Sequence, residues 1–149
     1  MKNYLILICL CATLFACSAD KVSPETQGLM GEWQFAQVRQ GQRTDLCNDD
    51  VTDVFADKIL EFTANAVVYV KDAVTKQVLL QGTWDLRTFP VYLNEDFTST
   101  NELTTHFSQM LQNHDFSWTS VTFSSGTTWF ELNSCANNKC YNYKFRKIE

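Results

Sequence analysis

The chain is short of the residues from which most catalytic and nucleotide sites are built. It has 2 histidines, 5 glycines and 2 prolines among 149 residues. No glycine-rich phosphate loop appears, and no serine stands in a nucleophile-elbow context. The histidines, His106 and His114, lie far from the cysteines in sequence, and the cysteine spacing does not suit zinc. Basic residues are also scarce, with 12 Lys and Arg against 17 Asp and Glu and a formal net charge of −5. That balance argues against nucleic acid, whose phosphates need a basic surface. Asp45, Asp49, Asp50, Asp53 and Asp57 cluster early. They lack the register of a calcium loop and read as a solvated connection. Lys139, Lys144, Arg146 and Lys147 cluster late and read as edge residues. With no convergent polar cluster, the expectation is a protein that is not an enzyme, with no metal and no cofactor.

What is present begins with Lys2 and an almost wholly apolar run from Tyr4 to Phe15, ending Leu14-Phe15-Ala16-Cys17. The run is shorter than the roughly 20 apolar residues a spanning helix needs. It has the order of a secretory signal: charge, apolar stretch, small residue. The ending resembles a bacterial lipobox, in which an aliphatic residue, a small residue and a cysteine stand in sequence. That resemblance implies a signal peptide over residues 1–16, diacylglycerol on the Cys17 thiol and a second acylation of the new N-terminus. Each buried methylene adds about 0.8 kcal/mol, so several chains make a stable anchor. An ordinary thiol after a plain signal peptide is the alternative. Ser18, by analogy with sorting in enterobacteria, points to the outer membrane of a bacterial envelope.

On that resemblance, Cys9 and Cys11 of the 6 cysteines leave with the signal and Cys17 is used for lipid. Cys47, Cys135 and Cys140 remain, in a compartment where disulfides form. Cys135 and Cys140 flank a turn-rich quartet, Ala136-Asn137-Asn138-Lys139, and a bridge across that loop is expected. Pairing of Cys47 with either would close a longer loop, and stays open.

Residues 17–28 read as a flexible tether and residues 29–149 as one domain, long enough for a real core. Trp33 and Phe35 alternate on one face. The phase then slips so that Ala36 and Val38 fall on the other, which a bulge explains. Lys58–Thr63 and Ala66–Lys71 form a hairpin. Val78, Leu80, Trp84 and Leu86 share a face of the next strand. Gly82 stands among them, where a bend or close approach is permitted. Leu103, Phe107, Met110 and Leu111 fall at helical spacing, with Ser99 and Glu102 as a capping box, so a helix is expected over Asn101 to Gln112. His114 at its end would be favoured by the helix dipole. Alternation returns in Ser117–Phe123, Thr127–Leu132 and Tyr141–Ile148, where Tyr141, Tyr143 and Phe145 share a face. The fold class is all-β: an antiparallel meander of about eight strands, closing into a barrel or stacking as a sandwich, with one short helix inserted.

Gly31-Glu32-Trp33, Leu60-Glu61-Phe62, Gly82-Thr83-Trp84 and Arg146 in the last strand together resemble the lipocalin-like lipoproteins of bacteria. The resemblance implies a β-barrel. It also implies that Arg146 packs over Trp33 as a cation–π pair worth about 0.5–2 kcal/mol.

Aromatics are abundant for one small domain. They either fill a packed interior or line a cavity for an apolar ligand. For a cavity, the candidate wall is Phe35, Leu60, Phe62, Val68, Leu80 and Trp84. Two functions follow. One is a membrane-anchored barrel binding a small apolar ligand at the envelope. The other is a packed barrel that grips an envelope protein or a glycan, as an inhibitor or assembly factor.

Overall fold

A computed structural model describes residues 24–42, 49–93, 96–112, 114–125, 128–136 and 139–149. Cys17, Asp45 and Cys47 lie outside the described residues. The first element is a short helix, α1 (Pro24–Leu29), with proline at its first position, where a missing N–H costs nothing. Save for Leu29, the helix lies within the stretch over which a tether is expected. Nine strands follow: β1 (Gly31–Gln42), β2 (Asp49–Asp50), β3 (Lys58–Phe62), β4 (Val67–Asp72), β5 (Val78–Leu93), β6 (Asp96–Phe107), β7 (Trp118–Ser125), β8 (Trp129–Ala136) and β9 (Lys139–Lys147). A 3-10 turn, Thr52–Phe55, separates β2 from β3.

The strands run in meander order, and β1 pairs with β9 as well as β3, all antiparallel. That closes an eight-stranded barrel, to which the two residues of β2 add a short flank beside β1. Closure removes the exposed edges that an open sheet would carry. No strand of the ring needs a partner from before Pro24 among the described residues.

Local irregularities fall where the residue pattern slips. Phe35 stands opposite Phe145 and Gln37 opposite Lys144, leaving Ala36 as the extra residue of a bulge. The bulge brings both Phe35 and Val38 inward, where both are buried. Gly82 is opposite Phe107, and a side chain there would collide with the His106 carbonyl oxygen and meet the Phe107 ring at 2.8 Å. Cys135 and Cys140 face each other across β8 and β9, 4.1 Å apart at Cα, and are joined by a disulfide.

The helix expected over Asn101 to Gln112 is a strand through Phe107. Leu103 and Phe107 are four apart, a spacing that suits one helical face and one strand face equally. Thr105 occupies the inward position between them and is buried. Its hydroxyl donates to the Phe116 carbonyl at 2.7 Å and accepts from the Trp118 N–H at 3.0 Å. A polar residue in an inward slot disguised the alternation. Ser99 and Glu102 lie in β6, with Glu102 opposite Arg87, and cap nothing. His114 forms an isolated bridge with Leu111 in the following loop.

Candidate functional site

The barrel has two ends, closed by different means. At the first, α1 leads into β1. Gly31 adopts φ +118°, in the left-handed region open to glycine, and a Cβ there would sit 3.2 Å from Lys147 Cε. Trp33 follows, buried, and its indole N–H donates to the Leu29 carbonyl at 2.7 Å. Above its ring lies Lys147, with Nζ 5.2 Å from the centroid and donating to the Gly28 carbonyl at 3.1 Å. Arg146, expected in that role, points outward instead, opposite Trp129 and Gln34. Alternation settles which cation is used: Tyr143, Phe145 and Lys147 share the inward face, and Arg146 falls between them. Trp84 is satisfied in the same manner as Trp33, donating to the Thr63 carbonyl at 3.1 Å.

Phe35, Leu60, Phe62, Val68, Leu80 and Trp84 all face the interior and belong to one buried cluster. They pack against one another and their neighbours; the Phe62 and Trp84 rings meet edge to face at 5.6 Å. Leu60 and Val68 are 0% exposed, so they touch neither bulk solvent nor a void of water size. The structure brings the six together around packed rings.

The second end, the mouth, is covered by residues 49–57 of the connection between β1 and β3. Its 3-10 turn is tied to β1 through the Thr52 hydroxyl, which accepts from the Val38 N–H at 2.9 Å. Asp50 in turn accepts from Thr52 N–H and hydroxyl at 2.9 and 2.6 Å, which holds its carboxyl below the ordinary range. The turn carries Phe55 into the barrel. Its ring centroid lies 5.1 Å from that of Phe35, 4.9 Å from His114, 6.1 Å from Phe116 and 6.0 Å from Tyr143. Phe55 is the stopper of the mouth.

Three polar side chains lie at this end. Lys58 opens β3 in phase with Leu60 and Phe62, so its side chain points inward and is 1% exposed. Its ammonium donates to the Val54 carbonyl at 3.0 Å and to the Asp57 carboxylate at 2.5 Å. Asp57 is 62% exposed, so the buried cation leans on a largely solvated counter-ion. Removing a charge from water costs several kcal/mol, which makes those two contacts essential to the closed state. Trp118 is buried, and its indole N–H has no well-formed acceptor; the Tyr143 phenol is the polar group it approaches. The Trp118 ring lies 4.9 Å from that of Tyr143, and the indole partly offsets the rise in the phenol pKa that burial causes. Beside Phe55, burial and the charges of Lys58 and Lys139 hold the His114 pKa below its ordinary value.

Phe55, Lys58 and Phe116 escaped attention in the sequence. Lys58 could have been found, because the alternation that turns Leu60 and Phe62 inward carries it inward too. Phe55 had a weaker signal, as the one aromatic in an acidic connection. Among the described residues no group of three His, Cys, Asp or Glu side chains could hold a metal. Two depressions are lined by described residues; one runs past Ala36, Gln37, Trp129, Lys144, Phe145 and Lys147, the other past Gln81, Thr83 and His106.

Compared with known proteins, the chain matches no family model, no curated protein and no solved structure.

Proposed function

We propose that the chain is a lipid-anchored barrel of the bacterial envelope that takes a small apolar ligand at its mouth, in the space Phe55 fills. The observation that carries this reading is the contrast among the buried tryptophans. Trp33 and Trp84 each donate to a backbone carbonyl, while Trp118, near the mouth, has no backbone acceptor for its indole and approaches only loosely the Tyr143 phenol. A few polar groups inside an apolar, aromatic enclosure are what orient a small ligand. The filled interior is then the closed state. Lifting a Phe side chain out forfeits about 1.5–3 kcal/mol, and burying four methylenes of a ligand at about 0.8 kcal/mol each offsets it.

The anchor rests on the order of charge, apolar run and Leu14-Phe15-Ala16-Cys17. Cys17 carries the acyl chains, and the outer membrane is the proposed location. Native mass spectrometry of the Ser18–Glu149 chain, before and after organic extraction, tests the ligand reading. An adduct of small-molecule mass that is lost on extraction is expected. A bare mass that also takes up no added 1-dodecanol contradicts it.

The second reading is a packed barrel that grips an envelope protein or a glycan from outside. The zero exposure of Leu60 and Val68 favours it, as does Trp129, 41% exposed on the outer face with the Lys144 ammonium 5.9 Å from its ring.

A further inference from the structure

Strands β8, β9 and β1 lie side by side, and the residues between their inward ones point outward. In register, Trp129 stands opposite Arg146, and Arg146 opposite Gln34. All three are exposed. Neighbouring strands lie about 4.8 Å apart, so the indole, guanidinium and amide form one row about 10 Å wide. The next row along the strands is Glu131, Lys144 and Gln37. Gln37, Trp129, Lys144 and Arg146 line a single depression of about 950 Å³, to which Glu149 also contributes.

The cations of this face are not equivalent. Lys144 is paired with Glu131 at 2.8 Å, and its ammonium lies 5.9 Å from the centre of the Trp129 ring. Arg39, further along β1, stands opposite Asp50 of β2. Arg146 enters no ion pair among the described residues. In a chain of net charge −5, an exposed guanidinium without a counter-ion suits an anion from outside, and its planar fork suits a carboxylate. Its neighbours define the rest of the ligand. The Trp129 ring offers a broad apolar surface, which suits the C–H face of a sugar ring. Gln34 and Gln37 both donate and accept, which suits hydroxyls that do the same. A protein segment fits less well. The barrel is closed through β1 and β9, so this face presents side chains and no free strand edge to which an extended peptide could add.

We propose that this outer face binds an acidic oligosaccharide, with a uronate carboxylate on Arg146 and a sugar ring stacked on Trp129. This rests on the outer-surface reading above, independently of the mouth, and names the ligand class. Gln34 and Gln37 take sugar hydroxyls. No bond is made or broken.

The test uses two matched pairs: trigalacturonate with galactotriose, and trimannuronate with mannotriose, each pair of one linkage. Within a pair, carboxylates replace hydroxymethyl groups and nothing else changes. Each sugar is titrated by calorimetry into the Ser18–Glu149 chain, once cooperative unfolding has shown that it is folded, and the indole N–H resonances report contact at Trp129. At least one uronate is expected to bind roughly tenfold tighter than its neutral partner at low salt and to shift the Trp129 signal. Trp129→Ala should weaken that binding roughly tenfold. Arg146→Gln keeps a hydrogen-bonding side chain and should erase the difference within the pair. Both positions are exposed, so both variants should keep the unfolding midpoint. Equal binding within each pair overturns the acidic assignment and leaves a glycan grip from outside standing. Uronate binding that Trp129→Ala does not weaken is charge attraction without a site, and overturns the proposal. Binding of none of the four sugars overturns it too. A photo-cross-linker at position 129 then separates the readings: a discrete protein trapped in envelopes leaves the outer-surface reading standing, and no trapped protein ends it as well.

Discussion

The two ends of the barrel are closed by the same kind of material, aromatic side chains, held in different ways. At the helix end each polar atom that enters the interior has a backbone partner. Trp33 donates to Leu29, Lys147 donates to Gly28 while covering the Trp33 ring, and the Ile148 N–H donates to the Glu32 carbonyl at 2.9 Å. The helix, the first strand and the last strand are tied there by one residue each. At the mouth a single 3-10 turn holds Phe55 in place, with no side-chain cap at its start. Its neighbours include a buried ammonium paired with a solvated carboxylate, and an indole with no backbone acceptor. Stability is not uniform across a fold, and elements that open for ligands are drawn from the weakly held part. On the ligand-binding reading proposed above, the mouth is the end that opens.

Trp33→Ala should break the comparison from the strong side. It removes a buried ring, the Lys147 contact and the tie to α1, so a loss of about 3–5 kcal/mol is expected in denaturant unfolding. Phe55→Ala should cost less, about 1.5–3 kcal/mol, because its turn can relax away from the barrel. It should also increase uptake of 1-dodecanol, which Trp33→Ala should not. If the two variants cost the same and neither changes uptake, the ends are equivalent. Gly31→Ala forces a side chain into a left-handed backbone and against Lys147, for about 1–2 kcal/mol measured the same way.

The smallest effects are with pH, and the two ends differ in where they respond. His114 has a folded pKa below its ordinary 6.5, because burial and then Lys58 and Lys139 oppose its charge. The unfolded chain therefore binds the proton more readily, and stability falls as pH drops below about that value. Glu32, on β1 near the helix end, is held below its ordinary 4.5 chiefly by its hydrogen bond to Lys76. Lys71 adds to this, bridging Glu32 and Glu61 at 3.3 and 2.8 Å. The stability Glu32 contributes is present above 4.5 and is lost as pH falls through its depressed folded value. Thermal unfolding across pH should show the His114 step first. In His114→Gln that step should disappear and the acid one remain.

Much of the fold was legible because inward residues of a barrel must alternate. The slip between Phe35 and Val38 announced the bulge, and the apolar phase around Gly82 announced a close approach. Cys135 and Cys140 announced their bridge by flanking a turn. The misreadings share one cause, a residue whose type did not match its direction. Thr105 is polar and points inward, so β6 looked helical. Lys147 and Lys58 are charged and point inward, so Arg146 was preferred over one and the other was passed over. The stopper lay in an irregular connection, where periodicity gives no direction at all. Leu14-Phe15-Ala16-Cys17 lies outside the described residues, and the barrel does not report on it.

The most direct test follows the hydrogen exchange of the indole N–H groups of Trp33, Trp84 and Trp118 by NMR under native conditions. Trp118 should exchange through a local opening of lower free energy than global unfolding, with the amides of Thr52–Phe55 opening alongside it. Trp33 should exchange only when the whole barrel unfolds. If Trp118 and Trp33 exchange together, with the same dependence on denaturant, the mouth does not open separately and the account of two unequal ends is wrong.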